Sequence, residues 1–229
     1  MAFSYGWRGP NIVKNGLVLY LDAGSPNSFY SPTAGITWKD ISGNNNTATL
    51  VNGPTYSSTD GGSIVFDGTN DYVTLTSTVT NTIYSVDIWY KMGANDASYG
   101  YFISSGNNGL AINEGAVLSG QTFGTIYYYN SSTANNLANI PSTTLWNHIV
   151  AVISTSTNNI KIYGNGNPTP LSNSTVTGLS TSVSNIGRYI TGNGNFLKGN
   201  LGSLKIYNRA LDTAEISQNY NATKTRFGL

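Results

Sequence analysis

Cysteine is absent, histidine occurs once as His148, and only 9% of the residues carry a formal charge. Without cysteine there is no disulfide framework and no thiolate metal site. A single imidazole leaves too few ligands for a structural or catalytic zinc. The 11 Lys and Arg stand against 10 Asp and Glu, for a net charge of +1. That balance provides no basic stripe able to displace counterions from a nucleic acid, and nothing to hold an anionic membrane surface. Long apolar runs are missing as well: Leu17 to Leu21 falls far short of the ~20 residues that span a bilayer. Met1 to Pro10 has no basic start followed by an apolar stretch and a small-residue cleavage site. The expectation is therefore a protein made in a cytoplasm without a signal peptide.

What is present is strand chemistry. Across 229 residues, 39% of them hydrophobic, short runs of β-branched and aromatic residues alternate with clusters of Gly, Asn, Asp, Ser and Pro. This is the spacing of an all-β sandwich or barrel, and the length suits one large domain. The clearest strands are Gly16 to Leu21, Ser63 to Phe66, Tyr72 to Leu75, Ser85 to Lys91, Tyr101 to Ser104, Leu110 to Asn113, Thr125 to Tyr129, His148 to Ser154, Ile160 to Tyr163, Val183 to Gly187 and Gly199 to Tyr207. Between Tyr84 and Lys91 a period of two puts Tyr84, Val86, Ile88 and Tyr90 on one face and Asp87, Trp89 and Lys91 on the other. Asp67-Gly68, Ser105 to Gly109 and Gly164 to Asn167 supply the residues that tight reversals need. One helix is expected near the end. Asp212 and Glu215 have capping-box spacing, and Ile216 and Tyr220, four apart, can lie together against the sandwich.

Several stretches resemble the laminin-G-like jelly-roll branch of the concanavalin A-like lectin and glucanase superfamily. They are Trp38 to Asn46 with its Asp-x-Ser-Gly-Asn-x-Asn turn, Gly62 to Val73, Val86 to Lys91, Trp146 to Val152, Ile160 to Tyr163 and Phe196 to Leu211. The resemblance implies a two-sheet antiparallel jelly-roll sandwich over residues 15–229, preceded by an arm at 1–14. Leu17 to Gly24 and Gln218 to Leu229 are similar to versions of the module in structural proteins of tailed phages. This implies a non-enzymatic protein on a virion surface, as a head decoration or a fibre or tail component. Its partners would be capsid or tail proteins and copies of itself. The other reading is a lectin-like module that attaches a particle or cell to surface glycans, and fold alone does not separate the two.

Paired carboxylates for glycoside hydrolysis are not evident. The only glutamates are Glu114 and Glu215, and Glu215 reads as a helix cap. His148, with no nucleophile motif beside it, reads as structural. Asp67, Asn70 and Asp71 offer hard oxygen ligands for calcium within one loop; the same residues also read as an ordinary turn whose carboxylates bond local amides. Glycan or partner contact would need exposed aromatics. Of 16 Tyr and 4 Trp, Trp38, Trp89 and Trp146 fall at core positions of the family pattern. That leaves Tyr99, Tyr101 and the run Tyr127-Tyr128-Tyr129, with Tyr128 singled out because it points away from its two neighbours. Phe3, Tyr5, Trp7 and Arg8 form the candidate docking arm, since aromatics with an arginine are interface hot-spot chemistry; padding of the domain's own edge is the alternative.

Overall fold

A computed structural model describes residues 11–29, 35–93, 99–115, 122–189 and 195–229. They form two antiparallel eight-stranded sheets and one short helix. With strands numbered along the chain, one sheet holds β1 (Leu17–Asp22), β4 (Thr55–Ser57), β5 (Ser63–Asp67), β7 (Ile83–Met92), β12 (Trp146–Ser154), β13 (Asn159–Gly164), β14 (Ser172–Thr175) and β16 (Lys198–Tyr207). Its order is β14-β13-β12-β7-β16-β5-β4, with β1 also paired to β16. We call this the helix-side sheet. The other holds β2 (Thr37–Trp38), β3 (Ala48–Val51), β6 (Tyr72–Thr80), β8 (Tyr99–Ser105), β9 (Asn108–Asn113), β10 (Thr125–Asn130), β11 (Ala134–Asn139) and β15 (Ser182–Ile186). It runs β11-β10-β9-β8-β15-β6-β3-β2 and is the open sheet.

The core lies between the sheets, where alternate residues interdigitate. Tyr84, Val86, Ile88 and Tyr90 of β7 all enter it, as their spacing requires. Trp38 is fully buried there as well. Tyr90 meets Phe102 edge to face at 5.0 Å. Each fully buried Leu, Ile or Phe contributes roughly 1.5–3 kcal/mol of transfer free energy, so the shared layer dominates stability. The Asp-x-Ser-Gly-Asn-x-Asn turn also has a physical role. Buried Asp40 accepts the amides of Tyr20, Ser42 and Asn46 at 2.8–2.9 Å, which ties that loop to β1. At the β8–β9 reversal Gly106 adopts φ +55°, in the expected Ser105 to Gly109 turn.

Helix α1 (Thr213–Thr223) carries the expected capping box, with Asp212 and Glu215 bonding each other's backbone amides. Arg209 adds a bidentate pair with Glu215 at 2.6 and 2.7 Å. The helix lies on the outer face of the helix-side sheet. Ile216 packs with Val150, Tyr163 and Tyr207, while Tyr220 stacks on Trp89 at 5.8 Å. A 3₁₀ turn over Lys224–Phe227 completes the cover: Phe227 stacks on Trp89 at 4.2 Å, and Arg226 bonds Asp22 and the Gly62 carbonyl. Of the expected arm, Asn11 to Lys14 runs beside α1, with the Val13 amide donating to Asn219 and its carbonyl accepting from Tyr207. Phe3, Tyr5, Trp7 and Arg8 lie outside the described residues.

Candidate functional site

The outward residues of the open sheet build a hollow about 180 Å³ in volume. Its floor exists because β9 is small where its neighbours are large. Cross-strand register sets Ala111 between Tyr101 of β8 and Tyr127 of β10, and Gly109 opposite Tyr129. Directly opposed residues share a face, so Tyr101, Tyr127 and Tyr129 flank a strip of Gly and Ala. A methyl group at Gly109 would sit 2.6 Å from both the Tyr101 ring and the Ile103 carbonyl, so glycine there lets Tyr101 lie down over the strand. Tyr99, Tyr189, Ala134 and Asn195 complete the lining.

The rings hold one another at defined angles. Tyr99 and Tyr127 meet edge to face at 5.9 Å, and Tyr129 and Tyr189 at 5.6 Å. Tyr101 lies tilted against Tyr189 at 5.1 Å. Edge-to-face contacts fix ring planes as well as burying area, so the wall is preorganised. Burial, reinforced by neighbouring phenols, pushes the Tyr101 and Tyr127 hydroxyls well above the ordinary tyrosine range. At neutral pH these hydroxyls stay protonated and can donate.

Beside this hollow a second one, about 300 Å³ and more open, is lined by Thr122, Thr125 and β11 residues Asn136 to Asn139. Thr125 donates to Asn139 Oδ1 at 2.9 Å, and Thr122 donates to the same oxygen at 3.4 Å. The Asn139 amide is thereby oriented with its NH₂ as the remaining donor end.

Tyr99 and Tyr101 are thus brought together, but Tyr128 is not. It points away from Tyr127 and Tyr129 as expected, and the face it points to is the core. Tyr128 is 1% exposed, its hydroxyl accepts the Ser180 amide at 2.7 Å, and burial pushes that hydroxyl up to about 12. It has no surface to offer a ligand. Its neighbours Tyr127 and Tyr129 share the face of Tyr101; Tyr101 and Tyr127 form the nearly buried base of the hollow, and the partly exposed rings around it are Tyr99, Tyr129 and Tyr189.

Asp67 and Asp71 occupy one turn after β5. Asp67 Oδ1 accepts the Thr69 and Asn70 amides at 2.7 and 3.3 Å, and Asp71 Oδ2 accepts the Asp67 amide at 3.0 Å. Burial raises Asp71. These are the local-amide bonds of the turn reading, and among the described residues no three acidic or histidine side chains converge on a metal-sized site. One oxygen of each carboxylate thus serves backbone donors of the turn.

Glu114 and Glu215 sit on different parts of the molecule. Glu114 is 1% exposed and accepts the Lys198 amide at 2.9 and 3.0 Å as well as the Tyr90 hydroxyl, while Glu215 caps α1. His148 is fully buried under the helix, its Nε2 3.1 Å from Asp87 Oδ2, though neither ring nitrogen has a hydrogen bond of good geometry. Asp87 also holds Lys205 Nζ at 2.9 Å and the Asn219 amide at 2.8 Å, and every one of these groups is fully buried.

The fold agrees with a comparison to known families. A laminin G family model, described as the concanavalin A-like lectin/glucanases superfamily, matches residues 67–217, more than half of the chain. The chain belongs to that superfamily. No curated protein sequence matches it. Among solved structures it is similar to domain 4 of AbnA, an extracellular GH43 arabinanase of Geobacillus stearothermophilus in complex with arabinotriose, with a TM-score of 0.62 at 17% identity over 89% of this chain and 98% of that one. It is also similar to the binding domain of Paraclostridial Mosquitocidal Protein 1 (TM-score 0.64, 17% identity, 91% of this chain and 52% of that one). Trypanosoma rangeli sialidase in complex with sialic acid resembles it at TM-score 0.64 and 14% identity, over 92% of this chain and 33% of that one. The chain spans about half of the toxin binding domain and about a third of the sialidase. At these identities the likeness shows the fold alone, one found both in binding domains and in enzymes.

Proposed function

We propose that the protein is a glycan-binding module whose contact site is the tyrosine-walled hollow of the open sheet. The observation that carries this reading is the wall itself: Tyr99, Tyr101, Tyr127, Tyr129 and Tyr189 around a glycine and alanine floor, on an outer face that, among the described residues, no helix covers. Aromatic faces take the apolar face of a sugar ring, and phenol hydroxyls and the Asn195 amide meet its hydroxyls. Two similar structures, an arabinanase domain in complex with arabinotriose and a sialidase in complex with sialic acid, are compatible with sugar recognition on this fold. No residue is assigned a catalytic role.

A glycan array tests the reading. Saturable binding is expected, falling tenfold or more in Tyr189→Ala while the melting temperature stays within a few degrees, because Tyr189 is only partly buried. An array without any binding would overturn it.

The virion reading rests on resemblance in Leu17 to Gly24 and Gln218 to Leu229. These segments lie near one another, since Arg226 bonds Asp22. A coat or tail protein displaying this face is compatible with glycan attachment, and recovery in stoichiometric amounts from purified particles is its test. Calcium at Asp67, Asn70 and Asp71 stays a separate proposal; a melting temperature lowered by chelator would support it.

A further inference from the structure

The aromatic hollow, at about 180 Å³, is small beside the roughly 300–1,000 Å³ of pockets that enclose drug-sized ligands. It has room for about one sugar ring. The polar hollow at the β11 edge adjoins it without a break in the strand pairing: Tyr127 walls the first, its cross-strand partner Asn136 lines the second, and both face outward. The step between them is one strand spacing, about 5 Å, comparable with the span of a single sugar unit.

The two hollows also share a property. Among the described residues, neither is lined by a charged side chain. Arg188, next to Tyr189 in sequence, is turned away, its guanidinium 3.7 Å over the Tyr72 ring and bonded to Asn185 Oδ1. The ion whose field reaches Tyr127 is the buried carboxylate of Glu114, and its sign opposes an anionic ligand. Binding a carboxylated or sulfated sugar here would strip its hydration without offering a cation in return.

Resting on the glycan-binding reading, we infer that the two hollows are consecutive subsites for one uncharged oligosaccharide chain. One ring stacks among the tyrosines and the next is held by the exposed Thr122 and Asn139 side chains, which Thr125 positions from below. Sialylated and uronate-bearing glycans are excluded by chemistry, and a single sugar fills only half of the site.

Calorimetry on the intact protein tests this with neutral oligosaccharides of one to four units found on the array, alongside sialylated and uronate-bearing ones. The tetrasaccharide should bind at least tenfold more tightly than the monosaccharide. Asn139→Ala, and independently Thr122→Val, should shrink that ratio by about three- to tenfold, the worth of one or two hydrogen bonds. Both positions are exposed, so folding is expected to survive, and a melt checks it. Equal affinity for one unit and four, an undiminished ratio in both variants, or preference for an acidic glycan would overturn the inference while leaving glycan binding intact. No binding to any sugar would overturn both.

Discussion

The two outer faces of the sandwich start from the same alternation of inward and outward residues and end in opposite states. On the helix-side sheet the outward set includes Asp87, Trp89, His148, Lys205 and Tyr207, and α1 with the C-terminal turn seals it, leaving all five side chains fully buried. On the open sheet the outward set includes tyrosine, threonine and asparagine around Gly109 and Ala111, and it keeps a ligand-sized hollow. The covered face seals an ion cluster among its aromatics, whereas the open face leaves part of its aromatic cluster, Tyr99, Tyr129 and Tyr189, partly exposed. What decides is the cover. An ion pair beneath a helix specifies how the helix seats, whereas aromatic rings left at a surface are the ones that could serve a partner.

The sharpest way to break the comparison is to remove an ion from the sealed face. Asp87→Ala leaves Lys205 buried without its counter-charge and should cost about 3–5 kcal/mol of unfolding free energy in a urea titration. The protein that remains folded should bind glycan as before. On the open face, Gly109→Ala drives a methyl into the Tyr101 ring and the Ile103 carbonyl. It should cost about 1–3 kcal/mol, the usual range for overpacking, and unlike Asp87→Ala it should weaken glycan binding.

Acid separates the faces a second way. Burial alone would raise Asp87, but the Lys205 ammonium and then His148 outweigh it and hold the carboxyl below its ordinary range. The folded-state value lies under the unfolded one of about 3.9. The stabilisation is therefore complete above that pH and is lost as pH falls through it toward the lower folded value, at up to about 1.4 kcal/mol per pH unit. Melts between pH 7 and pH 2 should bend downward below about pH 4, and Asp87→Ala should flatten the bend. The smallest effect belongs to Tyr128→Phe, which removes the oxygen that accepts the Ser180 amide. It should cost about 1 kcal/mol with no change in glycan affinity, as suits a core residue.

Much of the frame was legible from the chain alone. Strands with β-branched and aromatic alternation, such as Ser85 to Lys91 and Gly199 to Tyr207, announced themselves, and the capping box of α1 needed only Asp212 and Glu215 at the right spacing. Five strands carried a weaker signal. Edge strands β11 and β14, Ala-Asn-Asn-Leu-Ala-Asn and Ser-Asn-Ser-Thr, bury little and so read as loop. The polar half of the candidate site was invisible for that reason. The aromatic half was readable in part: Tyr99 and Tyr101 share a face, but which parity of the Tyr127 to Tyr129 run looks outward depends on which face of β10 meets the core. Nothing local to Tyr189, which follows the reversal at Gly187, marks it as a wall of the same hollow.

Val13 and Phe227 both rest against the sealed side of the sandwich, near the two ends of the described chain. A carrier held at the sealed side, beside Val13 and Phe227, would meet the helix-covered back, and the tyrosines would look outward. Copies anchored side by side on a common support would point their sugar-sized hollows in one direction, so that weak single contacts could add up through high local concentration.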